Sequence, residues 1–170
     1  NISTTPLTLE QVFEYFMEMD EARELLTDIS KLSPSELLFV VDVRLPRSEM
    51  DWARKKVRLT RKGWGGAYSM IRYRMDRAAL GKDPYTNYTF QEILDEGGIC
   101  MDQAYFAVNT AKCNGIPSAY VTGDGNRGPH AWVNLLTTDE TWQSYGGYGY
   151  NTGHFSHPHN CKAKQESTVL

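Results

Sequence analysis

Apolar positions in the first half of the chain recur at helical spacing, and capping residues precede several of these segments. The sequence Thr8-Leu9-Glu10-Gln11 has the form of a capping box and predicts an amphipathic helix behind it. We expect the inward face of this helix to carry Leu9, Val12, Phe13, Phe16 and Met17. Acidic residues on the opposite face would meet solvent.

A second helix start is Ser33-Pro34-Ser35-Glu36, with proline at the first helical position. The run behind it, Leu37 to Val43, is apolar all round, which predicts burial but leaves helix and strand open. Three more helices are predicted in this half. The first begins at Ser48-Glu49-Met50-Asp51, the second runs from Tyr68 to Leu80, and the third follows the capping sequence Thr89-Phe90-Gln91-Glu92.

The pattern changes after Gly97-Gly98, where glycine favours the end of a helix. The next helix is predicted to begin near Cys100 and to stop at Asn114-Gly115. Strands are then predicted at Ser118 to Thr122, at His130 to Leu136 and from Trp142, with a glycine-rich loop over Gly123–Gly128. This order predicts an α+β fold, in which a helical N-terminal half packs on an antiparallel sheet.

Composition narrows the function classes. The chain has 170 residues, a net charge of -3 and 41% hydrophobic residues, which is typical of one globular domain with a proper core. The negative charge argues against nucleic-acid binding as its main role. We expect the basic run Arg54-Lys55-Lys56 to be a solvated face, with an acidic partner as the weaker interpretation. No apolar stretch reaches membrane-spanning length, so we expect no membrane contact by this domain.

The candidate chemistry lies in a cysteine and a histidine. Cys100 opens a predicted helix, and His130 opens a predicted strand. A thiol in the first helical turn faces unpaired N–H groups and the positive end of the helix dipole, and both favour the thiolate. Each residue alone is more typical of a structural role, which we expect for Cys113 on the same helix. The combination instead predicts a thiolate–imidazole pair.

The segment around these residues resembles the transglutaminase-like superfamily, a branch of the papain-like thiol enzymes. The resemblance rests on Gly98-x-Cys100, Gly115-Ile116-Pro117, His130-Ala131-Trp132-Val133 and Trp142, and it spans roughly Tyr68 to Gly153. It implies a papain-like core with Cys100 as nucleophile and His130 as general base and acid. We expect a single domain over residues 1–170, excised from a larger protein. Its parts would be a helical extension (1–66), a Cys/His core (67–153) and a polar tail (154–170).

The chain departs from the family at the third catalytic position. The family usually has an Asp a few residues after the tryptophan that matches Trp142, and that Asp orients the histidine; no carboxylate follows here. Ser144 is the candidate third member, with Tyr145, Asn151 or a backbone carbonyl as alternatives. Upstream, Trp64 is a candidate oxyanion or substrate-wall residue by its position, although core packing is the favoured role for it.

These observations favour a thiol-dependent acyl-transfer enzyme that acts on amide or peptide bonds in a protein or peptide substrate, without metal or cofactor. The family's bacterial members look more often hydrolytic, which favours a protease-like over a transglutaminase-like role. The alternative is a catalytically inactive binding or scaffolding module. The tail from His154 to Cys161 holds four potential metal ligands, but a polar loop is the favoured interpretation. Oligomeric state and compartment stay open, with a secreted or periplasmic parent protein as one expectation.

Overall fold

The computed structural model describes residues 4–125, 128–138 and 141–147, together with the backbone of residues 164–165. The α-helices in these ranges are α1 (Leu9–Glu21), α2 (Pro34–Val41), α3 (Arg47–Lys56), α4 (Gly66–Met70), α5 (Met75–Leu80), α6 (Phe90–Glu96) and α7 (Cys100–Cys113). The strands are β1 (Ser118–Gly125), β2 (Gly128–Leu136), β3 (Trp142–Tyr145) and β4 (Lys164–Gln165). Helices precede strands, so the α+β prediction is confirmed.

Local capping chemistry sets several helix starts. At α1 the Gln11 amide donates to Thr8 Oγ1 at 3.3 Å, and the Thr8 amide donates to Gln11 Oε1 at 2.9 Å. Ser33 and Glu36 cap α2 in the same reciprocal way, and Pro34 occupies its first turn. Thr89 and Glu92 form the third such box, at α6. These three helix starts agree with the sequence prediction.

The inward face of α1 differs from the predicted one. Val12, Tyr15, Phe16 and Met19 are buried, whereas Leu9, Phe13 and Met17 are 76%, 63% and 41% exposed. The buried face of α1 is rotated relative to the predicted one because Tyr15 also points inward, where its hydroxyl donates to Asp51 Oδ1 at 3.1 Å. In α2, Val40 is buried but Leu38 is 53% exposed, so the expectation of burial all round was wrong for this run.

The predicted fourth helix is broken into α4 and α5. Between them the chain is extended and pairs with the residues before α7: the Gly98 amide donates to Arg72 O at 2.9 Å, and the Arg74 amide donates to Gly98 O at 2.8 Å. Tyr73 and Gly98 form an isolated parallel bridge there. These tertiary hydrogen bonds replace the helical ones, because they satisfy the same backbone groups.

The sheet has the strand order β3-β2-β1-β4, and its neighbours are antiparallel. β1 and β2 pair from Ser118↔Leu135 to Gly125↔Gly128, so most of the predicted glycine-rich loop is strand. His130 lies opposite Gly123 in this ladder. The helix α7 packs on β1 and β2 through its small residues, of which Ala104, Ala107 and Ala111 are fully buried.

One hydrophobic core joins the N-terminal helices to α7 and the sheet. Val12 and Phe16 of α1 belong to the same buried cluster as Ala107 of α7 and Val133 of β2. The segment before residue 67 therefore packs on the Cys/His half rather than standing apart from it. Across the ranges that the structure describes, no helix combines the length and apolar character needed to cross a membrane.

Candidate active site

Cys100 is the first residue of α7, as the sequence predicts. Its backbone N–H and that of Met101 belong to the first helical turn, where amides have no carbonyl four residues earlier to donate to. The Cys100 side chain is partly exposed. The neighbouring Tyr73 phenol has its pKa raised by burial and by Cys100. The thiol thus lies at a partly open helix N-terminus beside the extended segment that links α4 to α5.

The two glycines before Cys100 are required by close backbone packing. Gly97 has φ +74°, and a β-carbon there would lie 2.4 Å from Arg72 O. At Gly98 a β-carbon would lie 2.5 Å from the Asp102 β-carbon. Since any larger residue would push these segments apart, the glycine pair fixes how the chain enters α7.

His130 lies near the start of β2, and its ring makes a defined hydrogen bond. The Nε2 atom is 2.6 Å from the carbonyl oxygen of Gly146. A carbonyl oxygen can only accept, so Nε2 carries the proton and Nδ1 holds the lone pair of the neutral imidazole. The ring also stacks on Trp132, with centroids 5.9 Å apart.

Burial sets the charge state of this imidazole. Desolvation lowers the pKa of His130 below its ordinary value of 6.5, and the hydrogen bond to Gly146 offsets this only in part. The neutral ring is therefore the favoured form at neutral pH. In that form Nδ1 can accept a proton from a thiol.

Ser144, the candidate third member, has a different partner. Its hydroxyl donates to Asn134 Oδ1 at 2.5 Å, across the β2–β3 ladder in which the two residues pair. The Nε2 atom of His130 is instead bonded to the backbone of Gly146, two residues further on. This geometry does not support Ser144 as the orienting residue. It corresponds to the alternative of a backbone carbonyl from the segment after Trp142.

Tyr68 packs beside the His130 hydrogen bond, a contact that the sequence analysis did not anticipate. Gly146 has φ +84°, and a β-carbon on it would lie 2.5–2.7 Å from Tyr68 ring atoms. The Tyr68 hydroxyl donates to the carbonyl of Ala131 at 2.9 Å, next to His130 in β2. Tyr68 thereby supports both the histidine strand and the residue that binds the histidine. Nothing in the local pattern distinguishes it from an ordinary helix residue.

Trp64 is completely buried, which agrees with the favoured core-packing role. Its Nε1 has no hydrogen-bond partner among the residues that the structure describes. The following residue, Gly65, lies against Tyr145, since a β-carbon there would come within 2.1–2.5 Å of that ring. Gly65 thus packs against the strand that leads to Gly146.

The structure brings the helix of Cys100 onto the strand of His130, because α7 packs against β2. Within the described ranges, no three His, Cys, Asp or Glu residues form a cluster that could hold a metal ion. Asn151 and the potential ligands between His154 and Cys161 lie outside those ranges.

Comparison with known proteins places this arrangement in a class. The model of the Transglutaminase-like superfamily matches residues 50–146, more than half of the chain. The chain therefore belongs to the transglutaminase-like superfamily.

One solved structure shares the fold of this chain. A structure from Cytophaga hutchinsonii, described as a "putative cysteine protease", is similar with a TM-score of 0.52 at 19% identity. The match covers 72% of this chain and 46% of that one, so the chain spans less than half the length of that protein. At this identity the likeness shows the fold. The comparison with curated proteins finds no match.

Proposed function

We propose that this domain is a thiol-dependent acyl-transfer enzyme that acts on amide or peptide bonds, with Cys100 as nucleophile and His130 as base and acid. The observation that carries the proposal is the hydrogen bond from His130 Nε2 to the Gly146 carbonyl. It makes Nδ1 the basic nitrogen, which can take a thiol proton, on a strand that packs against the helix beginning at Cys100.

The reaction would proceed in two halves. His130 Nδ1 takes the Cys100 proton while sulfur bonds to the amide carbonyl carbon, and the negative charge moves to oxygen. The Cys100 backbone N–H, in the first turn of α7, is suited to stabilise that oxyanion. The imidazolium then protonates the departing nitrogen as the C–N bond breaks, leaving a thioester. Water or an amine, deprotonated by His130, attacks the thioester and restores the thiol.

Two acceptors fit this scheme. With water the enzyme is a peptidase or amidase, and with an amine it is a transglutaminase. The description of the Cytophaga hutchinsonii protein favours water. We therefore propose the hydrolytic reaction, with a protein or peptide as substrate.

One observation favours a non-catalytic module as the second candidate. The ring of His130 binds a carbonyl instead of a carboxylate, and its pKa is lowered. Burial disfavours the imidazolium, and a neutral carbonyl stabilises it less than a carboxylate would, so a pre-formed thiolate–imidazolium pair is weakened. In such a module the cysteine and histidine would persist in the fold without turnover.

Labelling with a fluorescent peptidyl chloromethyl ketone separates the two candidates. The enzyme proposal predicts rapid labelling of wild type at Cys100, no labelling of C100A, and strongly slowed labelling of H130A. The C113A variant is the matched control and should label like wild type, because Cys113 is buried. Labelling of Cys100 no faster than that of free cysteine, and unchanged in H130A, would favour the binding module.

A further inference from the structure

A buried cluster of charged and phenolic side chains lies at the N-terminus of α7 and is not part of the Cys–His pair. At its centre the Asp102 carboxylate pairs with the Arg77 guanidinium; their side chains are 2% and 12% exposed. The Tyr88 hydroxyl donates to Asp102 Oδ1 at 2.8 Å. The Ile99 backbone amide donates to Asp102 Oδ2 at 2.7 Å. The carboxylate therefore has a partner for each oxygen.

Tyr85 connects this pair to the turn before Cys100. Its hydroxyl donates to Gly97 O at 2.7 Å, and Arg77 donates to the same hydroxyl at 3.4 Å. The Arg77 guanidinium also lies over the Tyr85 ring, 5.0 Å from its centroid. A β-carbon at Gly98 would come within 2.6 Å of Asp102 Oδ2 and 2.7 Å of the Tyr85 hydroxyl. The cluster thus packs directly against the glycine turn.

The hydrogen bond of Asp102 has a consequence for the first turn of α7. The carboxylate accepts the N–H of Ile99, the residue that caps the helix. The N–H of Cys100 is the next one along the chain, and the Asp102 carboxylate accepts the N–H of Ile99 rather than this one. Asp102 therefore shapes the turn without occupying the amide that the proposed reaction uses.

The negative charge of Asp102, in contrast to its hydrogen bond, works against a thiolate at Cys100. A helix N-terminus favours a negative charge, but a second anion in the same turn repels the first. Asp102 lies two residues after Cys100, so its carboxylate, without a counter-charge, would disfavour a thiolate there. The buried guanidinium of Arg77 neutralises that carboxylate.

We propose that Arg77 and Asp102 are positioning residues for the Cys100 thiolate: Asp102 holds the turn that presents the thiol, and Arg77 cancels the charge of that carboxylate. The proposal rests on the proposed role of Cys100 as nucleophile. It assigns Arg77, a residue outside the Cys–His pair, an electrostatic effect on the reacting sulfur.

Other charged and titratable groups lie on the segments that pack against α7 or lead into it. From the packed elements these are Arg72, Tyr73 and Arg74 on the extended segment, Glu96 on α6, Tyr85 and Tyr88 before α6, and His130 on β2. The test must therefore isolate the Arg77–Asp102 pair from them. Removing the positive charge of Arg77 and, separately, the negative charge of Asp102 does so, because the surrounding groups are the same in both variants.

The experiment measures the rate of Cys100 alkylation by iodoacetamide against pH in the full chain, for R77Q, D102N and the double variant. Peptide mapping identifies the modified cysteine. We expect R77Q to shift the rate–pH profile to higher pH by about one unit and to slow alkylation near pH 7 about tenfold. D102N should move it downward, because Arg77 then lacks its counter-charge while the Asn oxygen still caps Ile99. The double variant should return close to the wild-type profile.

Two controls complete the design. R77K keeps the positive charge and should retain the wild-type midpoint, even where R77Q folds poorly. R47Q removes an exposed arginine that pairs with Glu18 on α1 and should leave the profile unchanged. Shifts of the same sign in R77Q and D102N, or no shift in D102N, would overturn the proposal and leave a purely structural role. A wild-type Cys100 that reacts like an ordinary thiol would instead count against the proposed function.

Discussion

The ring of Tyr68 lies against the α-carbon of Gly146, in the space that a β-carbon of any other residue would occupy. Gly146 also has φ +84°, a left-handed conformation that side chains disfavour. Two independent restraints therefore keep this position a glycine. Because its carbonyl binds His130 Nε2, the same restraints define the orientation of the imidazole.

Replacing Gly146 with alanine should lower the free energy of unfolding by about 2 kcal/mol or more, since backbone strain and the Tyr68 contact both oppose the new methyl group. Urea denaturation measures this. The matched control is G128A, because Gly128 has φ +93° but, among the residues that the structure describes, no neighbouring atom lies within 4 Å of the place that an alanine methyl group would take. That variant should show the strain alone. Equal losses in the two variants would mean that the Tyr68 contact costs nothing.

Restoring a carboxylate by G146D should not increase the reactivity of Cys100. The family's Asp orients the histidine, but here a side chain at Gly146 would collide with Tyr68 and shift the carbonyl that holds His130. We expect slower Cys100 alkylation than in wild type, together with reduced stability. Alkylation faster than wild type, with the fold intact by circular dichroism, would contradict this account of the missing Asp.

His130 should make stability depend on pH in a defined window. Burial lowers its pKa in the folded protein below 6.5, so the unfolded chain binds the proton more readily. Stability is thus retained above about pH 7 and is lost as the pH falls through 6.5 towards the folded-state pKa. H130Q lacks this titration but can still donate to Gly146. Wild type should lose more unfolding free energy than H130Q between about pH 7.5 and about pH 5.5, as measured by urea titration. Parallel losses would show that His130 does not contribute.

The two described cysteines should differ sharply in reactivity. Cys113 is fully buried, and burial raises the pKa of its thiol, so the native protein should protect it from iodoacetamide. Peptide mapping at neutral pH should find Cys100 modified first and Cys113 modified only after unfolding. C113A should cost about 1–2 kcal/mol of stability through the cavity it leaves, and C100A less than about 1.5 kcal/mol. Equal labelling of both residues in folded protein would refute this difference.

Features that depend on near neighbours in sequence were predictable. The capping boxes at Thr8, Ser33 and Thr89 form as expected, because each needs only residues three positions apart. The start of α7 at Cys100 follows from the glycine pair before it. The strands of the meander were also recognisable from their turns, although the β1–β2 hairpin extends further than predicted.

Features that depend on distant contacts were not predictable. The break between α4 and α5 arises from hydrogen bonds to Gly98, which no local pattern reveals. A backbone carbonyl was among the expected partners of His130, but the choice of Gly146 and its support by Tyr68 depend on a positive φ and a ring contact across the fold. The Arg77–Asp102 pair likewise joins α5 to α7. The glycine pair and the helix start behind it therefore located the candidate nucleophile, but the groups that hold the site come from tertiary packing.

Because of the bridge between Tyr73 and Gly98, the reactivity of Cys100 and the global stability of the fold are lost under different conditions. The bridge consists of backbone hydrogen bonds between distant segments, and every residue of α5 beyond it except Arg77 is exposed. Such a contact opens at a lower free energy than the core, so amide exchange at Gly98 should be faster than in the middle of α7. Moderate heat or denaturant would then misalign Cys100 while most of the molecule stays folded. The melting temperature would therefore overestimate the temperature up to which the Cys100 thiol keeps its position for reaction.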